Sequence, residues 1–339
     1  MSDALIEVED LVVHFPVLGG PLRRQIGAVH AVDGVSLSVQ AGETLGLVGE
    51  SGCGKSTTGR AIMRMLKPNS GRIVIDGDEI SGWTRRQLRE IRSKLQVVFQ
   101  DPYASLSARM TVHEIIAEPL RVHGRYRNGG RTRVAELMEV VGLNPEHGNR
   151  YAREFSGGQR QRIGIARALA LGPKALILDE PVSALDVSIQ AQIVNELERL
   201  QDEQGLAYIF IAHDLSVVRH LSDRVAVMYL GKIMETGTRD DIYTRAVHPY
   251  TQSLLSAVPI ADPDMRDRGD RIVLHGEVPS PSNPPSGCRF RTRCWKAEEI
   301  CAAEEPPLAG VAGNDREIHR AACHFPELVE ILTARRETT

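Results

Sequence analysis

The sequence predicts an α/β fold built on a mainly parallel sheet. Short apolar runs alternate with helical patterns through about residue 235. The clearest runs, Thr44–Val48, Leu95–Phe99, Ala175–Leu178 and Ala207–Ala212, are apolar nearly throughout, as strands covered on both faces are. The first of them opens into a glycine-rich loop followed by a helical pattern. Each run ends at polar residues, and open α/β sheets gather their ligands at the carboxyl ends of strands.

From roughly 104 to 171 the strand signal is lost. Thr111 and Glu114 have capping-box spacing, and Val134, Leu137, Met138 and Val141 recur on one helix face, so this stretch reads as a helical insert. After Arg224–Tyr229, Gly231 and the run Lys232–Glu235 predict a terminal hairpin. Beyond about 260 the composition shifts. Pro279, Pro281, Pro284 and Pro285 mark an extended, irregular segment that leads into four cysteines. No internal repeat is visible.

A chain of 339 residues with 42% apolar content buries a full core, which excludes disordered and fibrous classes. The formal net charge of -3 mixes 41 basic with 44 acidic residues and provides no general polyanion field, so nucleic acid is not expected as a partner. No apolar run approaches the ~18 residues that span a bilayer, and Asp3 and Glu7 stand where a secretory signal is basic. The expectation is a cytosolic chain, held at a membrane, if at all, by other subunits. Cys53 is isolated, whereas Cys288, Cys294, Cys301 and Cys323 crowd the last fifth of the chain. In a reducing compartment that clustering points to metal before disulfide.

The residues Gly49, Glu50, Ser51, Gly52, Cys53, Gly54, Lys55 and Ser56 satisfy G-x-x-x-x-G-K-[ST] between a predicted strand and a predicted helix. Glycines let successive N–H groups point inward, forming an anion nest at a helix N-terminus that suits a triphosphate; Thr57 lies in the same first turn. Lys55 is placed to reach the β- and γ-phosphates and Ser56 to ligate Mg²⁺. The run Ala175–Leu178 ends at Asp179 and Glu180. Asp179 is the metal-side acid, and Glu180, one residue on, is placed to orient and deprotonate the attacking water. Cys53 lies inside the nest, where surrounding amides favour its thiolate; the alternative is a small filler of ordinary reactivity.

With these motifs in place, about residues 5–240 resemble the ABC ATPases. The deciding motif is Phe155-Ser156-Gly157-Gly158-Gln159, with Phe where the family usually has Leu. Ser156 and Gln159 have capping-box spacing, so the motif opens a second helix with exposed amides. The resemblance implies a P-loop NTPase (RecA-like) core, a helical signature subdomain at about 104–171, and two cassettes packed head to tail. Each ATP is then clasped between the cradle of one cassette and the signature helix of the other. It further implies that Gln100 is a γ-phosphate sensor and magnesium ligand with Ser56 and Asp179, that His213 contacts the γ-phosphate and the attacking water, and that Ser183-Ala-Leu-Asp186 crosses the dimer seam. The catalytic set is Glu180, His213, Gln100 and Lys55. Phe15 resembles the aromatic that stacks on adenine; an ordinary core phenylalanine is the alternative reading.

The tail narrows the resemblance. His248-Pro-Tyr-Thr-Gln-Ser-Leu-Leu255, Gly276-Glu-Val-Pro-Ser280 and the cysteines are similar to the C-terminal extension of the oligopeptide and dipeptide importer ATPases, as are Gln100-Asp-Pro-Tyr-Ala-Ser-Leu106 and the insertion after Phe15. The expected division is an ATPase domain over 1–256 and a small irregular extension over 257–339. Membrane subunits of this family dock near Gln100 to about Arg121. The expected function is ATP-driven uptake of peptides at the cytoplasmic face of a bacterial inner membrane. The expected partners are a second ATPase, commonly a related and non-identical chain, two transmembrane permease subunits and an extracytoplasmic solute-binding protein. Nickel, glutathione and some oligosaccharide importers share the extension. A non-transport ABC ATPase acting on nucleic acid is disfavoured because neither a long coiled-coil insertion nor a second cassette is present, and a metal-dependent redox or sensor protein because one tail site needs no complete ATPase apparatus. The cysteines are spaced C-x₅-C-x₆-C-x₂₁-C. Four thiolates complete the shell of an iron–sulfur cluster or of zinc, and the spacing is not a common zinc-ribbon pattern. The resemblance implies a structural [4Fe–4S] cluster; Trp295 stands where relatives often have Pro.

Overall fold

The computed structural model describes residues 4–21, 24–101, 105–183, 185–258, 272–311 and 318–329. Its strands in chain order are β1 (Ile6–Gly19), β2 (Arg24–Val39), β3 (Thr44–Val48), β4 (Ser70–Ile75), β5 (Asp78–Glu79), β6 (Leu95–Val98), β7 (Ala175–Asp179), β8 (Ala207–Ala212), β9 (Arg224–Tyr229), β10 (Lys232–Thr238), β11 (Ala309–Gly310) and β12 (Arg320–Ala321). The helices are α1 (Lys55–Ile62), α2 (Leu88–Lys94), α3 (Val112–Val122), α4 (Gly130–Val140), α5 (Gly157–Leu169), α6 (Val187–Gln204), α7 (Leu215–Leu221), α8 (Arg239–Thr244), α9 (Pro249–Ser256) and α10 (Glu299–Ala303). The chain separates into two compact units, one comprising Met1–Ile6, Ser38–Thr44 and Val74–Ala212, the other Glu7–Leu37, Leu45–Ile73 and His213–Thr339.

In the first unit β6, β7 and β8 pair in parallel, Leu95 to Ala175 and Ala175 to Ala207. Every residue of β7 and β8 is buried, which is why both read as unbroken apolar runs. The expected helical insert contains α3, α4 and α5. Thr111 caps α3 by accepting from the N–H of Glu114, whose carboxylate in turn accepts from the N–H of Thr111 at 2.8 Å. Val134, Leu137, Met138 and Val141 form the buried face predicted from their spacing.

In the second unit β3 pairs in parallel with β9, and β9 turns back into β10 as the predicted hairpin, with Leu230 and Gly231 at positive φ in the turn. The short strands β12 and β11 extend that sheet from β10, so the tail is built onto it by backbone pairing. A second sheet places β1 between β2 and β4. Its long strands were not anticipated from the sequence. Asp10 takes a positive φ and donates its N–H to Ser36 Oγ at 2.9 Å, and this irregularity breaks the period-two alternation along β1.

A buried polar group fixes the tail to β10. Glu235 is fully buried; its carboxylate accepts from the N–H groups of Val247 and His248 at 2.8 and 3.1 Å and pairs with His319 Nε2 at 2.8 Å. His248, also buried, caps α9 by accepting from the N–H of Tyr250 at 3.0 Å. Burial holds the His248 imidazole neutral, moving its pKa from 6.5 down to about 4 against the opposing pull of Glu235. Unfolded chain therefore binds a proton that folded chain refuses, and stability present above pH 6.5 is lost as pH falls from 6.5 toward about 4. The loss is on the order of 3 kcal/mol. His248→Asn keeps an N-cap acceptor and removes the titration, so chemical denaturation across this window should show a shallower acid limb; an unchanged slope would rule out His248 as its source.

Candidate functional site

The phosphate loop lies in the second unit. Gly49 has φ 152, and a Cβ there would sit 2.1 Å from the carbonyl oxygen of Met228; Gly54 has φ 110, and its Cβ would meet the carbonyl oxygen of Ala31 at 2.0 Å. Only glycine permits both the backbone angles and the close approach, so the loop wraps tightly ahead of α1. No side chain caps α1 and no acidic residue stands in its first turn, leaving N–H groups and the positive end of the helix dipole to face an anion. Lys55 is 4% exposed, and its ammonium is bound by the carbonyl oxygens of Gly49 at 2.6 Å and Glu50 at 3.1 Å. The lysine thus crosses its own loop with its charge held by backbone dipoles. Ser51 and Gly52 are exposed, while Ser56 and Thr57 are half-buried in the first turn of α1.

The acidic strand end lies in the first unit. Asp179, the last residue of β7, is 3% exposed, and Glu180 follows at the strand end. Glu180 has φ 47, a left-handed conformation costing roughly 1–2 kcal/mol in a residue with a side chain. Its N–H bonds the carbonyl of Ile211 at 2.9 Å, holding the strained turn, and its Oε2 accepts from Gln100 Nε2 at 2.7 Å. Gln100, exposed just beyond β6, is therefore in direct contact with the Glu180 carboxylate. Strain of this kind persists where surrounding structure enforces it.

Ser156 caps α5 in the same unit. Its hydroxyl accepts from the N–H of Gln159 at 3.3 Å, and the Gln159 side chain accepts from the N–H of Ser156 at 3.0 Å, so the expected capping box forms. Arg160 steadies the turn before it by donating to the carbonyls of Ala152 and Arg153. Ser156 and Gln159 are exposed and Gly157 and Gly158 half-buried, which leaves the start of α5 open to a ligand. Phe155 anchors the motif from below at 4% exposure.

Two family models match the chain, one described as ABC transporter over residues 32–183 and one as the oligopeptide/dipeptide transporter C-terminal region over 234–301. The oligopeptide transport ATP-binding protein AppF of Bacillus subtilis (strain 168) is 52% identical over 326 residues, 96% of this chain and 98% of that one. The oligopeptide transport ATP-binding protein OppF of Escherichia coli (strain K12) is 56% identical over 310 residues, 90% of this chain and 93% of that one. The chain belongs to the ABC transporter ATP-binding family. Among solved ABC structures, the dimeric cassette MJ0796 bound to ADP and Pi has a TM-score of 0.61 at 27% identity, covering 69% of this chain and 98% of that one. For cbiO1 of Clostridium perfringens, part of the cbiONQ transporter complex, the values are 0.62 and 28%, with 71% and 91% covered.

Other family positions fall as follows. His213 is exposed directly after β8, and the neighbouring Asp214 caps α7 by accepting from the N–H of Ser216 at 2.7 Å. Phe15 is 39% exposed on β1, which sets aside the core-phenylalanine reading and leaves a ring face available for stacking. Pro102, Tyr103 and Ala104 of the Gln100–Leu106 segment, and Ala184 of the Ser183–Asp186 loop, lie outside the described residues. No helix among the described residues is long and apolar enough to cross a membrane.

The expectation of an activated thiolate at Cys53 is corrected. Its side chain is 4% exposed, and burial pushes the thiol up despite the nearby Lys55 ammonium, because desolvation outweighs that charge. Cys53 fills the space beneath Gly49, where a Cβ would meet its Sγ at 2.9 Å.

In the tail the four cysteines lie close enough for their charges to interact: Cys288 with Cys301 and Cys323, and Cys294 with Cys288 and Cys301. The N–H of Cys288 bonds the carbonyl of Cys301 at 2.8 Å, while the Sγ atoms of Cys294 and Cys323 each accept a backbone N–H, from Lys296 and Phe325, at 3.4 Å. Among the described residues the group whose ligand atoms all lie within 4.8 Å of one another is His14, His30 and Asp33. Arg289 is ion-paired with Asp33 there, and its charge, with that of Lys232, opposes a cation at that point. The reading of that trio is a buttress between β1, β2 and the tail.

Two contacts at the phosphate loop were not foreseen. The hydroxyl of Tyr250 accepts from the N–H of Glu50 at 2.9 Å, and Arg293 pairs with the Glu50 carboxylate at 2.8 Å. Both partners come from about 200 residues or more further along the chain, so no local spacing announces them. The only sequence signal is indirect: Tyr250 belongs to the His248-Pro-Tyr signature and Arg293 adjoins Cys294.

Proposed function

We propose that the chain is the ATP-hydrolysing subunit of an importer that takes up oligopeptides or dipeptides. The observation that carries this reading is a complete ABC ATPase motif set on a chain whose tail matches the oligopeptide/dipeptide transporter region over 234–301. The naming of AppF and OppF as oligopeptide transport proteins supports the solute class. In this reading the ATPase domain spans 1–256 and the extension 257–339.

Lys55 and the amides of the phosphate loop hold the β- and γ-phosphates, Ser56, Gln100 and Asp179 would hold Mg²⁺, and Phe15 stacks on the adenine. Glu180 orients and deprotonates the attacking water, with Gln100 and His213 sensing the γ-phosphate. The metal's chemistry is to neutralise charge on the phosphates. Ser156, Gly157, Gly158 and Gln159 serve the nucleotide of a partner cassette, which makes dimerisation a step in turnover. ATP then closes the pair, hydrolysis reopens it, and a permease alternates its access in response.

The partners in this reading are a related second ATPase, two permease subunits and an external solute-binding protein, with the chain on the cytoplasmic face of the inner membrane. Cys288, Cys294, Cys301 and Cys323 are assigned to a structural [4Fe–4S] cluster. Support comes from their clustering and from the two N–H to sulfur bonds. Such a cluster would cross-link the irregular tail.

Anaerobic isolation of the intact complex from membranes tests the assembly. Recovery with two permeases and a second ATPase, and with about four irons per copy of this chain, is the expected result. Recovery with ribosomes or DNA would overturn the importer reading, and a colourless zinc-loaded protein would overturn the cluster.

A further inference from the structure

The segment Cys288-Arg289-Phe290-Arg291-Thr292-Arg293-Cys294 runs between the first two tail cysteines. Three of its side chains reach back to the part of the second unit that carries the phosphate loop. Arg289 pairs with Asp33 on β2 and donates to the carbonyl of Leu230 at 3.4 Å. Phe290 is fully buried against Tyr229, Tyr250 and His248, with ring centroids 5.4, 5.3 and 5.9 Å away. Arg293, its side chain 9% exposed, lies over the Tyr229 ring and binds the carboxylate of Glu50 at 2.8 Å.

Glu50 is the second residue of the phosphate loop, and it is held on three sides. Arg293 binds its carboxylate, Tyr250 accepts its N–H, and its carbonyl receives the Lys55 ammonium at 3.1 Å. A loop rich in glycine pays a large entropy cost to settle into one shape. Glu50 is one of its few residues with a side chain able to be gripped, and the group that grips it comes from the tail. A carboxylate at this position also places a negative charge beside the incoming phosphates, which the half-buried guanidinium offsets.

We propose that Arg293, assisted by Tyr250, is a positioning residue for the nucleotide: the cysteine-bearing extension completes the phosphate cradle by fixing Glu50 in an ion pair. The proposal rests on the reading of this loop as the ATP site. It gives the extension a task within the ATPase cycle in addition to folding its own segment.

The test uses the full chain in its purified complex, with Arg293→Ala, Arg293→Lys, Glu50→Gln and the Arg293→Ala/Glu50→Gln double variant, and the probe is ATP with magnesium. Arg293→Ala should raise the KM for ATP and the dissociation constant about tenfold, as expected when one charge-assisted hydrogen bond is lost, while kcat at saturating ATP stays within about twofold. Arg293→Lys should recover part of the affinity. Glu50→Gln breaks the same pair from the other side, so it should also weaken ATP binding, and adding it to Arg293→Ala should cost little more than either change alone. A merely structural arginine would give the opposite pattern, a fall in kcat and in thermal midpoint without nucleotide, with the effects of Arg293→Ala and Glu50→Gln simply adding. That pattern, or an unchanged affinity in Arg293→Ala, would overturn the proposal. Absence of ATP binding in the wild type would instead overturn the nucleotide reading on which it stands.

Discussion

Glu180→Gln is expected to lower ATP turnover by a factor of ~10²–10⁴ while leaving ATP bound, the range in which a positioned general base acts. The geometry explains why this change isolates chemistry from structure. In the present structure Glu180 Oε2 accepts from Gln100 Nε2 at 2.7 Å, and a glutamine at 180 keeps an amide oxygen that accepts the same bond. The left-handed backbone at φ 47 and the N–H bond to Ile211 are likewise independent of the side-chain charge. What is lost is the basicity of the carboxylate. Single-turnover measurement of phosphate release from the complex checks this, and undiminished release would displace Glu180 from its role.

Lys55→Met should weaken ATP binding about 100-fold, with turnover falling in proportion. The ammonium is 4% exposed and already held by the carbonyls of Gly49 and Glu50, so its position is set before the phosphates arrive. Removing a buried charge that makes charge-assisted bonds costs about 3 kcal/mol, which is about 100-fold in affinity. Methionine retains most of the aliphatic stem, so packing around α1 should survive and the thermal midpoint in the absence of nucleotide should move little. Equilibrium binding of a fluorescent ATP analogue reads the change directly, and affinity equal to wild type would remove Lys55 from the site.

What was legible in the sequence follows from how local each signal is. Strands β3, β7 and β8 are short and buried throughout, and β6 is buried at Leu95 and Val98, so burial wrote itself as mostly apolar runs. The Ser156–Gln159 capping box and the Thr111–Glu114 box are four-residue devices, and both form as their spacing implies. The long strands β1 and β2 were missed because exposed and charged positions such as Glu9 and Asp10 interrupt their alternation. Cys53 was misread because the same amides that favour a thiolate are accompanied by burial, and burial is a tertiary property. The grip of Arg293 and Tyr250 on Glu50 was invisible for the same reason: it depends on the tail folding back onto a loop some 200 residues upstream.

The central claim is that each ATP is held by the cradle of one cassette and the signature helix of another, and Ser156→Arg tests it most directly. The arginine would crowd the open start of α5, which in the proposed function serves the partner's nucleotide, while leaving this chain's own phosphate loop untouched. The account predicts that ATP turnover by the intact complex falls by about two orders of magnitude, as when a preorganised transition-state contact is removed, whereas ATP affinity of the isolated chain matches wild type. Unchanged turnover, or loss of ATP binding by the isolated chain, would contradict it.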